Sequence, residues 1–314
     1  MPASALAPTF ELLILGRVIW GFAAAAPRVV SRTVLRDKFR GDALSRAISM
    51  VTAVFLIVPT IAPLIGQAAL ALGSWRYTFA IGPVFALAVL LWAIRLPETL
   101  APEDRRPLAP RAIWDAVATV LRTPSALGGT IALTALFTAF LPYLSSLERI
   151  FDQIYSRTDQ FAVFFAASAL TSAAVTLFTV RLVRRIGTDR TVTIWLAALI
   201  ASSVVFVLVS MSNSGVPNFW LFYPVMLTVV LADGALVPLL NSQSLEDVGH
   251  IAGTATSIIG AISLFGASVL SAPINGAIDD TVTPFAVGYL MAGLIAAAAA
   301  AWVKSRRHAH PNHH

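Results

Sequence analysis

Four ionisable side chains stand inside or at the rim of long apolar runs, where charge is rare and costly. Arg17 lies about one and a half turns into the run 12–30. Charge at that depth is retained for function, unless the long side chain reaches back to the interface. Asp233 lies in the middle of the run 219–240. Burial disfavours the ionised carboxylate, so a carboxyl there is suited to exchanging a proton. The competing reading is a neutral acid bonded to a neighbouring helix. Glu148 and Asp152 stand four residues apart at the end of the run 126–147 and would share a helix face. They fit the mouth of a cavity or a contact for a cationic substrate; the alternative is a solvated helix end with an ion pair to Arg149.

The elements that must position these groups are dictated by composition. The chain has 314 residues, of which 57% are hydrophobic and 12% charged, with a mean hydropathy of +0.79. A soluble domain carries about twice that charged fraction. A bilayer removes the need for a polar surface. With no cysteine, disulfides, thiolate metal sites and cysteine nucleophiles are excluded. No phosphate-cradling loop or hydrolase motif is present, so an enzyme is not expected, nor are a cofactor and a metal site. His250 stands alone, and His308, His310, His313 and His314 fall in a basic tail. The net charge is +6, without basic–aromatic interleaving, so nucleic acid is not an expected partner. Residues 1–10 hold no Lys or Arg, and no secretory signal is expected.

About nine segments are long and apolar enough to span: 12–30, 47–72, 78–96, 126–147, 161–180, 192–211, 219–240, 251–274 and 284–303. In hydrocarbon each must satisfy its backbone internally, so the expected fold is all-α, a polytopic membrane helix bundle. Basic residues follow spans one, three, five and nine, which predicts an outside N-terminus and an inside C-terminus. Within 111–122, Ile113, Trp114, Val117, Val120 and Leu121 fall on one face, as in a helix lying at the membrane surface. The expected organisation is a three-span bundle (1–100), a linker with that amphipathic helix (101–125), a six-helix bundle (126–304) and a cytoplasmic tail (305–314).

Several motifs carry a family resemblance. Leu13, Arg17, Trp20, Gly21 and Ala23 to Ala25 are similar to the fourth-helix motif of proton-coupled antiporters in the major facilitator superfamily, with Trp20 where glutamine is usual. Pro59, Ala62, Pro63 and Gly66 resemble its fifth-helix antiporter motif. Trp75-Arg76 and the stretch from Leu96 to Leu100 look like the borders of the sixth helix in the bicyclomycin/chloramphenicol-resistance subfamily. Asn241 to Ala255 is similar to that subfamily's loop between helices ten and eleven. Arg184, Arg185 and Gly187 stand where the second-half loop motif belongs, with Arg184 replacing its usual acidic residue.

The resemblance implies helices four to twelve of a twelve-helix transporter. The first three helices, with their loop motif and any first-helix proton carrier, are missing from the match. A fragment, a misplaced start and a decayed gene are the readings left open. It further implies a proton-coupled exporter of small amphipathic drug-like compounds in the inner membrane. Arg17 would serve coupling or charge pairing inside the bundle, and Gly21, Pro59, Pro63 and Gly66 the close packing that seals the pathway. A non-transporting membrane protein and a transporter of another small solute are the alternatives.

Overall fold

The computed structural model describes residues 9–39, 75–95 and 110–309, and scattered positions between 43 and 69. Among them stand nine α-helices: α1 (Phe10–Lys38), α2 (Trp75–Ala93), α3 (Pro110–Arg122), α4 (Pro124–Arg149), α5 (Phe161–Ile186), α6 (Thr188–Ser210), α7 (Phe219–Ser244), α8 (Ala252–Ala277) and α9 (Thr283–Ala309). The all-α membrane architecture is therefore what the apolar runs dictate. Six helices, α4 to α9, are long and apolar enough to cross a bilayer. The expected first and third spans fall on α1 and α2. The expected second span lies largely outside the described residues.

The helices outrun the apolar segments that seed them. α5 continues to Ile186 through Arg181, Arg184 and Arg185, and α6 starts at Thr188, ahead of its first apolar residue. Past the hydrocarbon boundary the backbone bonds remain favourable while the side chains return to water, so hydropathy marks the spanning part alone. Between these helices the chain reverses at Gly187, whose φ of +84° is a conformation L side chains rarely adopt. Its N–H closes α5 on the carbonyl of Val183, and its own carbonyl accepts the Thr191 hydroxyl.

The chain divides into two compact units, Met1–Pro107 with Phe165–Ala169, and Leu108–Phe164 with Leu170–His314. In the second unit α4 is the central element, packed on α7, α8 and α9, while α6 joins α7 and α9. Adjacent glycines make this possible. A Cβ on Gly128 would stand 2.2 Å from Val303 Cγ2 on α9, and one on Gly129 would stand 2.3 Å from Ser244 Cβ on α7. Small residues let helices without a hydrophobic driving force between them gain dispersion contact. α3 docks on α4 and α8 through Ala116 and Val120, leaving Ile113 and Trp114 exposed. The apolar stripe of α3 is thus split between the bundle and its surroundings.

Both ends of this bundle are tied. At the end holding Arg184, Arg185 and Lys304, Gln243 Nε2 donates to Asp189 Oδ1 at 2.6 Å, and Arg307 pairs with Glu246 at 2.6 Å. At the other end, Phe151 is buried among Phe161, Phe164 and Phe219, and the Tyr223 hydroxyl donates to the carbonyl of Phe164 at 2.8 Å. Arg157 lies 4.7 Å over the Phe219 ring. Phe161 packs on Phe151, and Phe164 on Tyr223.

Candidate functional site

Among the described residues, the interior of the six-helix unit holds one acid. Asp233 sits mid-way along α7 and is 1% exposed, and its Oδ1 has no hydrogen-bond partner. Pro224 and Pro238 lie in the same helix. Proline has no N–H to return to the carbonyl four residues back, which for Pro238 is that of Gly234, beside the acid. Leaving a buried polar group unpaired costs about 1–3 kcal/mol, more if it is charged. Such a group persists where the site has a use for it.

Two tyrosines are buried on other helices of the same unit. Tyr289 on α9 is fully buried, and its hydroxyl is likewise without a partner. Asp233 and Tyr143, a buried residue of α4, are both within electrostatic range of Tyr289. By sequence Tyr143 is one of several aromatics that could line a cavity, and Tyr289 carries no such mark. Each looks like one more aromatic in an apolar run, and only the folded bundle shows that both are buried.

A second polar feature lies between α4 and α8. Leu141, Leu144, Ser145, Ser268, Ser271 and Asn275 line an open recess of about 310 Å³. Ser145 and Ser146 donate to Asn275 Oδ1 at 3.0 and 2.8 Å. Ser268, Ser271 and Asn275 recur at helical spacing along one face of α8, a pattern visible in the sequence. Arg149 Nη2 donates to the carbonyl of Asn275 at 2.9 Å and also to that of Ile278. Arg149 is thus spent on the end of α8 and forms no ion pair with Glu148 or Asp152.

The remaining expected residues are dispersed. Glu148 is exposed, and Asp152 is exposed within a π turn (Ile150–Ile154) that ends α4. Asp152 Oδ1 accepts the Thr158 hydroxyl at 2.5 Å. The π turn changes the register on which the shared face of Glu148 and Asp152 rested. Arg17 and Gly21 lie on exposed positions of α1. A Cβ on Gly21 or Gly66 would meet nothing within 4 Å among the described residues. Pro59 and Pro63 lie outside the described residues. Arg184, Arg185 and Gly187 close α5, both arginines being exposed.

The sequence is similar to those of known membrane transporters. Over 274 residues the chain is 28% identical to a bicyclomycin resistance protein homolog of Haemophilus influenzae, covering 85% of this chain and 67% of the relative. It is 27% identical over 284 residues to the MFS-type transporter YdgK of Bacillus subtilis, covering 89% and 70%. A shorter match, 27% over 107 residues, links it to the multidrug resistance protein MdtL of Escherichia coli, covering 34% of this chain and 26% of that one. The family model described as Major Facilitator Superfamily matches residues 1–271. With that match across most of its length, on a bundle of membrane-spanning helices, the chain belongs to the Major Facilitator Superfamily.

Proposed function

We propose that the chain acts as a secondary active transporter that exports small amphipathic, drug-like molecules in exchange for protons. Asp233 is the group in the six-helix unit that takes up and gives back the proton. The observation that carries this reading is the burial of Asp233 in mid-span with an oxygen left unbonded. A carboxyl in that position alternates between a neutral form that the interior tolerates and a charged form that it does not. Coupling needs such a change: the protonation state then biases one arrangement of the helices over another. The substrate class rests on the names of the relatives, one a bicyclomycin resistance protein homolog and one a multidrug resistance protein.

The other residues take subsidiary roles in this reading. Arg17 serves coupling or charge pairing within the first unit. The recess lined by Ser145, Ser268, Ser271 and Asn275 offers uncharged hydrogen-bonding groups to the polar end of an amphipathic substrate. Arg184, Arg185 and Gly187 shape the basic end that faces the cytoplasm of the inner membrane. The helix α3, with Ile113 and Trp114 outward, lies at that surface.

The test is efflux of cationic dyes and phenicol-type drugs from cells expressing the chain, with and without a proton uncoupler. Uncoupler-sensitive export supports the proposal. Export that the uncoupler leaves unchanged removes the proton, and absence of export at a normal membrane level removes the drug class. Arg17→Ala is expected to abolish export without loss of insertion; unchanged efflux by that variant would take Arg17 out of the site.

A further inference from the structure

We propose that the pocket between α6 and α9, at the basic end of the six-helix unit, binds an anionic phospholipid, with Arg190 and Lys304 holding its phosphate. The pocket measures about 440 Å³ and is lined by Ile186, Asp189, Arg190, Thr193, Ile194 and Lys304. α6 and α9 pack on one another within one compact unit. None of these residues takes part in the proposed proton exchange or in the recess between α4 and α8.

The pocket changes character with depth. Arg190 stands in the first turn of α6, and Thr193 and Ile194 follow three and four residues later, which sets all three on one face. Into the span, a cation is thus followed by a hydroxyl and then by an apolar side chain. Ile194 is 48% exposed, so it faces away from the bundle. The same face continues as Ala197 and Ala201, both exposed. On α9, Ala297 and Ala301 lead up to Lys304 at helical spacing. Trp302 precedes it closely in the chain, as an amphipathic ring does at a membrane–water boundary. Small side chains below the pocket leave room for an acyl chain, and the charge sits at the level of a headgroup.

Charge selects that headgroup. The lining has two cations against one carboxylate. The carboxylate is engaged, since Asp189 Oδ1 accepts from Gln243 Nε2 at 2.6 Å. Arg190 makes no hydrogen bond or ion pair among the described residues. Its guanidinium can therefore hold a phosphate through two N–H donors. Among the cations of α9, Arg307 pairs with Glu246 and Arg306 lies 5.8 Å over the Trp302 ring, and Lys304 is the one that lines the pocket. The Thr193 hydroxyl donates to the carbonyl of Asp189 at 2.9 Å, so its oxygen is left to accept. A phosphate next to a hydroxyl-bearing group, as in phosphatidylglycerol, answers both needs. Basic pockets between membrane helices favour anionic headgroups of this kind.

Native mass spectrometry of the purified chain tests this. It counts the lipid retained from detergent containing phosphatidylglycerol, phosphatidylethanolamine or phosphatidylcholine with the same acyl chains. The parent should retain phosphatidylglycerol in preference to the other two. Replacing both cations (Arg190→Gln, Lys304→Gln) should weaken that retention by about thirtyfold. Arg122→Gln, which removes a cation from the end of α3, should leave it unchanged. Ala197→Trp should lower retention by filling the path of the acyl chain. Where the double variant melts below the parent without lipid, Ala197→Trp decides, because both cations stay in place. Inorganic phosphate in large excess should not displace the lipid. Equal retention of the three lipids, or parental retention in both the double variant and Ala197→Trp, would overturn the site. Displacement by phosphate would overturn the lipid and assign the pocket to a soluble anion.

Discussion

Helices α5 and α7 have nearly the same mean hydropathy, 1.9 and 1.8, yet 11% of the α5 span is buried in the protein and 50% of the α7 span. Apolar content brought both into the membrane and does not distinguish them. The difference lies in how each handles its polar groups. In α5 the hydroxyls of Thr176 and Thr179 donate to the carbonyls of Ser172 and Val175, one turn back in the same helix. Those groups are satisfied locally and ask nothing of a neighbour. In α7, Asp233 is buried with Oδ1 unbonded. Hydroxyls in both helices are satisfied within their own helix, Thr228 of α7 on Val225 included, and what sets α7 apart is its buried acid.

Moving an acid from the inner helix to the outer one gives the largest expected effect. Leu177 of α5 is 58% exposed. Leu177→Asp should cost about 2.5–3.5 kcal/mol of insertion, read as a fall in the inserted fraction in a glycosylation-site integration assay. Normal insertion would mean that α5 is not a lipid-facing helix. The contacts of the inner helices come next. Gly129→Leu drives a side chain into Ser244 and should lower stability by about 1–3 kcal/mol. A thermal midpoint equal to the parent's in detergent would contradict the α4–α7 packing.

Removing the acid from α7 should act in the opposite direction. Asp233→Leu deletes an unpaired buried group and is expected to raise stability by about 1–3 kcal/mol while abolishing coupled efflux. A variant both less stable and still active would show that the acid is structural. The smallest effect belongs to the satisfied hydroxyls. Thr176→Val and Thr179→Val should each stay within about 0.5 kcal/mol of the parent, measured by the same melting curves.

This contrast also explains what could be read from the sequence. Spanning helices follow from length and apolar content, so α4 to α9 and the helix 110–122 were legible, apart from terminal turns that run on past the hydrocarbon. Asp233 was legible because an acid in mid-span is rare. The burial of Tyr289 and Tyr143 was not. Tyr289 lies between Gly288 and Leu290, and Tyr143 between Pro142 and Leu144; nothing local separates them from tyrosines that face lipid. Gly128 and Gly129 are equally mute until α9 and α7 come within contact distance. An ion pair of Arg149 with the nearby carboxyls is the alternative that closeness in sequence suggests. The carbonyls Arg149 uses, on Asn275 and Ile278, are more than a hundred residues away along the chain.

The claim at the centre of this account is that the carboxyl of Asp233 couples proton movement to export. Its most direct test is dye transport in proteoliposomes containing the purified chain under an imposed proton gradient, comparing the parent with Asp233→Asn. The account predicts gradient-driven transport by the parent, and an Asn variant that still binds the dye but shows no response to the gradient. Equal gradient-driven rates in both would contradict it.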